Sequence, residues 1–225
     1  MNFKLIISVH IRKCAGTTLR NSLKNYFGNK VLFDYGDEIG SEWPSSIKKR
    51  EVSLANLTNQ KKEIIGNFDI VHGHFYKDKY DIVDCDKEYI TFVRNPVTRL
   101  LSNYYYLKKN LNRKNPDSLV VNKLGFSFED YIKHPDTQNL QYKFLQSIDL
   151  KDYSFVGITE YYSKSIHRLN DIYNIKLSDK GELNKNINSK KEYEIEKKEL
   201  NLIKKYNSED FKIYENALDK MEKFL

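Results

Sequence analysis

The sequence predicts an α/β fold: a central parallel sheet flanked by helices, with a C-terminal half that is mostly helical. Two strand-then-helix units and the helical spacing of the later apolar residues predict it. In the first unit Phe3 to His10 reads as a buried strand. Thr17 to Phe27 follows with Leu19, Leu23 and Tyr26 at helical spacing. In the second, Tyr89 to Val93 is a β-rich run, and Pro96 to Leu111 places Leu100, Leu101, Tyr104, Leu107 and Leu111 on one face. Pro96 suits the first turn of that helix, where its missing N–H costs nothing. Ile64 to Val71 is expected to hold another strand and Phe155 to Ile158 a short one. Tyr162, Ile166, Leu169 and Tyr173 make one amphipathic face. Ser208 with Glu209 and Asp210 starts a last helix whose stripe runs through Phe211, Tyr214, Leu218, Met221 and Leu225. Ser178 to Lys191 reads as a polar connection.

The 225 residues are expected to form one domain over 1–225, since no repeat and no linker divides them. At 40% hydrophobic and 13% aromatic, the chain can bury a core. Its longest early apolar run, Leu5 to Val9, falls far short of the roughly 20 residues a membrane helix needs. No cleaved leader is evident. With 38 basic against 31 acidic residues the net charge is +7, which suits an anionic ligand and would equally suit nucleic acid. Two cysteines, Cys14 and Cys85, make neither a disulfide framework nor a zinc site, so no metal is expected and a reducing cytoplasm fits.

Two segments carry chemistry. His10-Ile11-Arg12-Lys13-Cys14-Ala15-Gly16-Thr17-Thr18-Leu19 leaves a strand, turns through small residues and opens a helix. Such a turn aims backbone N–H groups and the positive helix end at one point, a phosphate site. Gly16 and Ala15 admit the anion closely, the hydroxyls of Thr17 and Thr18 add hydrogen bonds, and Lys13 adds a cation. The alternative is an ordinary turn with Thr as helix cap. No G-x-x-x-x-G-K-[ST] is present, so a small-molecule kinase using ATP is poorly supported. Tyr80 to Asp84 only weakly imitates an apolar strand ending in a magnesium-binding Asp. In the second segment, Ile90 to Ser102, Arg94 ends a strand and Ser102 lies two turns into the next helix. There an Arg fork and a hydroxyl can grip another phosphate; the alternative is that Arg94 pairs with a local carboxylate.

Together the two segments resemble the cofactor motifs of sulfotransferases that use 3′-phosphoadenosine 5′-phosphosulfate (PAPS), above all the carbohydrate type that includes the heparan sulfate 2-O- and 6-O-sulfotransferases. Under that resemblance Lys13, Cys14, Ala15, Gly16, Thr17 and Thr18 hold the 5′-phosphosulfate, with Arg12, where relatives have Pro, adding charge nearby. Arg94 and Ser102 hold the 3′-phosphate, and the α/β fold the resemblance implies is P-loop-like and three-layered. Val156 to Glu160 and Asp210 to Glu215 resemble later family segments more weakly. The resemblance also implies a hydroxyl acceptor, glycan-like, with Asp34 to Lys62 and Lys108 to Gln146 shaping its pocket; Asn139, Gln141 and Lys143 are candidates for polar contacts there or for a solvated helix face. Relatives in the Golgi carry a membrane anchor, and a chain that starts at its first strand reads as a cytoplasmic, bacterial version.

Val71-His72-Gly73-His74-Phe75 supplies two imidazoles near a strand end. Unaided, such a pair reads as structural; the resemblance turns it toward a general base, His74 with His72 supporting it or exchanging roles. The expected reaction is an in-line sulfuryl transfer. In it, His74 takes the acceptor proton and Lys13 stabilises the departing 3′,5′-ADP. Lys185 and Lys190 are candidates to fold over the cofactor. The rivals are the kinase, an inactive nucleotide-binding protein, and a nucleic-acid module that would stack bases on its many Tyr. No RNA-binding signature supports the last.

Overall fold

The computed structural model describes residues 4–109, 125–179 and 195–222. Five parallel strands form the sheet: β1 (Leu5–Val9), β2 (Val31–Asp34), β3 (Ile70–Gly73), β4 (Lys87–Val93) and β5 (Tyr153–Ile158), in the order β2-β3-β1-β4-β5. Every residue of β1 is buried, as a parallel strand covered by helices on both faces requires. The helices are α1 (Gly16–Phe27), α2 (Pro44–Ile64), α3 (Pro96–Lys109), α4 (Phe128–Lys133), α5 (Leu140–Leu145), α6 (Tyr162–Tyr173), α7 (Lys197–Tyr206) and α8 (Ser208–Glu222).

The predicted α/β class stands, and both strand-then-helix units fall where the apolar spacing put them. One expectation changes. The strand sought at Ile64 to Val71 begins only at Ile70. Ile64 closes α2, and Gly66, at φ +81°, reverses the chain before β3. The weak imitation at Tyr80 to Asp84 indeed holds no strand: Lys77–Ile82 is a 3₁₀ helix, and Asp81 accepts from the Tyr89 hydroxyl at 2.6 Å. Asp34 to Lys62, expected to shape the acceptor pocket, holds the end of β2 and most of the 21-residue α2. Leu111, Leu225, Lys185, Lys190 and residues 180–191 of the polar connection lie outside the described residues.

The sheet order positions the site. After β1 the chain moves to the β3-β2 side; after β4 it moves to β5. The crevice of a doubly wound sheet opens at such a reversal, beyond the C-terminal ends of the strands. Here that point lies between β1 and β4, whose residues pair from Leu5 with Lys87 to Val9 with Thr91. The turns carrying Lys13 and Arg94 are therefore neighbours. The β3 end, with its histidines, lies on the other side of β1.

Candidate active site

The β1–α1 turn is built from backbone. Lys13 (φ +70°) and Ala15 (φ +56°) both sit in the left-handed region, which curls the chain back before the helix. Ala15 stands at the helix cap and offers no side-chain bond, and no acid occupies the first turn. The amides of Gly16, Thr17 and Thr18 have no carbonyl within the helix to bond, so the positive end of α1 is open to an anion. Thr17 is exposed and Thr18 buried. Gly16 is needed for a reason the sequence does not reveal. A Cβ there would lie 1.5 Å from Nε2 of His10, whose ring occupies the space. Cys14 is buried, and its thiol is pushed up to about 12, chiefly by desolvation. It packs; it does not react. The Lys13 ammonium is pulled down to about 8, first by burial and then by Arg94, and lies 4.1 Å from the Tyr106 ring centroid. Arg12 donates to the Ile39 carbonyl and lines a small pocket with Asn103, Tyr131 and His134.

The β4–α3 turn is built from side chains. Arg94 Nη1 donates to the Lys13 carbonyl at 3.1 Å and Nε to Thr98 Oγ1 at 3.1 Å. Glu160 Oε1 stands 4.0 Å from Arg94 Nε, so the local carboxylate considered above exists, at the edge of ion-pair range. Thr98, Ser102 and Tyr106 share one face of α3 at intervals of four. Thr98 touches Arg94 and Tyr106 touches Lys13, which brackets the partly buried Ser102 between the two cations.

Three imidazoles stack beyond β1 and β3. His10 lies 4.3 Å from His74 and 5.0 Å from His72 between ring centroids. Burial drives all three below the ordinary imidazole value, His72 to about 3 and His74 to about 4, so the cluster is neutral at pH 7. His74 Nδ1 is 2.6 Å from the His10 carbonyl. A carbonyl only accepts, so Nδ1 carries the proton and Nε2 keeps its lone pair. His72 has no exposed surface and bonds Ser8 Oγ through Nδ1 at 2.8 Å. Of the two, only His74 is accessible to an acceptor. Tyr35, from the stretch expected to shape the acceptor pocket, packs edge-on against His74 and bonds His10 Nδ1.

The other pocket candidates are braces. Gln141 is completely buried against Arg94, Asn139 accepts from the amides of Glu209 and Asp210, and Lys143 donates to the Pro135 carbonyl. Sequence reasoning also missed His10 as a packing partner of both the turn and His74. His10 stands in the quoted motif, but its role depends on a strand 60 residues away.

Residues 3–216 match the family described as Sulfotransferase family. The chain belongs to the sulfotransferase family. No curated protein matches the sequence. A sulfotransferase from Alicyclobacillus acidocaldarius shares the fold, with a TM-score of 0.53 at 11% identity over 94% of each chain. Mouse sulfotransferase SULT7A1, solved in complex with PAP, is similar at a TM-score of 0.44 and 13% identity, over 79% of this chain; the chain spans 60% of the mouse protein's length. A sugar kinase from Janibacter sp. scores 0.43 at 12% identity over 76% of this chain and 95% of its own. Among the described residues, no helix is long and apolar enough to cross a membrane.

Proposed function

We propose that residues 1–225 form one sulfotransferase domain whose two strand-end turns seat PAPS and whose His74 deprotonates a hydroxyl of a carbohydrate or glycan-like acceptor. One observation carries this reading: the Arg94 guanidinium donates to the Lys13 carbonyl. Two cationic turns thus meet at the crevice, as a nucleotide phosphorylated on both the 3′ and 5′ sides of its ribose demands. The residues fit the donor's two ends: an uncapped helix start for one phosphate, a guanidinium and a hydroxyl for the other. Bound PAPS supplies the activated sulfuryl group and, as leaving group, 3′,5′-ADP.

The amides of Gly16, Thr17 and Thr18 hold the 5′-phosphate. Lys13 neutralises charge growing on the bridging oxygen, inside a partly desolvated turn where charge counts for more than in water. Arg94 and Ser102 grip the 3′-phosphate and so set PAPS apart from ATP. Arg12 lies further off, toward Ile39, and contributes positive field. His74 is held by the His10 carbonyl with Nε2 bare. Its low basicity means the proton transfers only as the hydroxyl commits its electrons to sulfur. The expected setting is the cytoplasm of a bacterium.

Two measurements test this. Equilibrium binding should favour 3′,5′-ADP over ATP; a preference for ATP would overturn the donor assignment in favour of the kinase. Radiolabelled sulfate transfer, screened over glycans, lipids and small alcohols, should mark glycans first. Transfer confined to lipids or small alcohols would overturn the acceptor class alone.

A further inference from the structure

Gln141, on α5, reaches both turns of the proposed site with a side chain that has no exposed surface. Its Oε1 accepts the Arg94 N–H at 2.9 Å, and its Nε2 donates to the Arg94 carbonyl at 3.0 Å. The same Oε1 lies 3.7 Å from the Cys14 thiol, the residue after Lys13. One planar amide therefore satisfies both backbone groups of Arg94 while resting on the other turn. The amide is itself fixed from behind. The Gln141 and Tyr142 N–H groups bond the two oxygens of buried Asp210, at 3.2 and 2.9 Å. Asp210 in turn faces the buried Arg99 guanidinium at 3.6 Å, one turn into the helix that Arg94 precedes. The loop of contacts closes on the two β-strand ends from a helix some 47 residues downstream of Arg94.

We propose that Gln141 is a positioning residue that sets the distance between the two phosphate cradles, so that a nucleotide carrying both phosphates gains from both at once. The proposal rests on the two-cradle reading above and adds what holds the cradles in register. An amide suits the task because it presents a donor and an acceptor in one plane, as Arg94 requires. A hydrophobic residue of the same length would fill the volume and leave two buried backbone groups unpaired.

The experiment is equilibrium binding of 3′,5′-ADP, 5′-AMP and 3′-AMP to the wild type, Gln141→Met and Gln141→Glu. The wild type should bind 3′,5′-ADP more tightly than either monophosphate. In Gln141→Met the 3′,5′-ADP affinity should fall about tenfold while each monophosphate changes less than about threefold. Equal losses for all three ligands, or none, would overturn the proposal. Should that variant fail to fold, Gln141→Glu decides. Protonated, its carboxyl accepts from the Arg94 N–H and donates to the Arg94 carbonyl, as the amide does. Ionised, it sets a negative oxygen against that carbonyl. Burial keeps such a proton well above the usual carboxylate range. The 3′,5′-ADP affinity of Gln141→Glu, relative to wild type at each pH, should therefore recover as pH falls from about 9 to about 6. Lys13, Cys14, Arg94, Arg99, Glu160 and Asp210, the titratable and charged groups around the site, are common to both proteins, but Lys13 sits at about 8 and couples to a new carboxylate, so the ratio is taken in a Lys13→Arg background where that charge is fixed. A flat ratio sinks the proposal. A wild type that binds 3′,5′-ADP no better than the monophosphates would remove the two-cradle reading itself, and the positioning role with it.

Discussion

The β1–α1 and β4–α3 turns have one architecture, a parallel strand handing over to a helix, yet they treat the helix start oppositely. At α1 the backbone takes left-handed angles at Lys13 and Ala15 and no side chain caps the helix. At α3, Asn95 Oδ1 accepts the N–H groups of Val97 and Thr98, at 3.0 and 3.4 Å, and Pro96 removes another donor. The first turn has amides to spare for a ligand. The second has used its own, and any anion there must be held by Arg94 and the hydroxyls of α3. A helix N-terminus is thus an anion site only when its own capping leaves it open, and two turns alike in sequence pattern need not bind by the same means.

The largest test falls on Lys13 in the backbone turn. Lys13→Ala should lower turnover by about a hundredfold or more while the melting temperature holds, because in the proposed mechanism the side chain acts on charge developing in the transition state. Near-normal turnover would leave the open amides to do all the work and remove Lys13 from the leaving-group role. The charge itself can be titrated. Lys13 sits at about 8, held down by burial and by Arg94, so it is protonated below that value and neutral above it. The affinity for 5′-AMP should accordingly weaken severalfold between about pH 7 and about pH 9, and Lys13→Arg, whose charge persists, should flatten the fall. A wild-type profile flat over that range would mean that the amides alone bind the 5′ end.

Arg94→Ala is the counterpart on the side-chain turn. It should weaken 3′,5′-ADP by about tenfold and leave 5′-AMP nearly unchanged, since the 5′ amides survive. Equal losses for both ligands would show Arg94 acting through the Lys13 carbonyl it bonds, making the two turns one unit.

What the sequence made legible follows the same division. The apolar runs of β1 and β4 and the stripe from Leu100 to Leu107 are local patterns, and they read correctly. Helix α2 did not read, because only Ser46, Leu57 and Ile64 of its 21 residues are buried and no period stands out. Within the site, Lys13, Arg94 and Ser102 stood out as residue types in a motif. The partners that hold them did not. Gln141 meets Arg94 across 47 positions and Cys14 across 127, and Gly16 matters because the His10 ring fills its missing side chain. Such contacts are made by packing, and no local spacing encodes them.

The smallest effect tests the contrast most directly. Asn95→Ala removes the cap of α3, which should cost about 1 kcal/mol of stability in urea unfolding. Ligand affinity should move little. The Asn95 N–H still bonds Glu160 Oε1 at 3.1 Å and Gln141 still holds the Arg94 backbone, so the guanidinium stays in place. Meanwhile the freed amides of Val97 and Thr98 turn to water. If instead 3′,5′-ADP binds markedly tighter to the variant, the uncapped α3 has become a second open anion site. The capping asparagine would then be the sole reason that the two turns differ. If stability is unchanged, Pro96 and the Glu160 contact already close the helix, and the difference between the turns lies in the left-handed residues of the first rather than in the cap of the second.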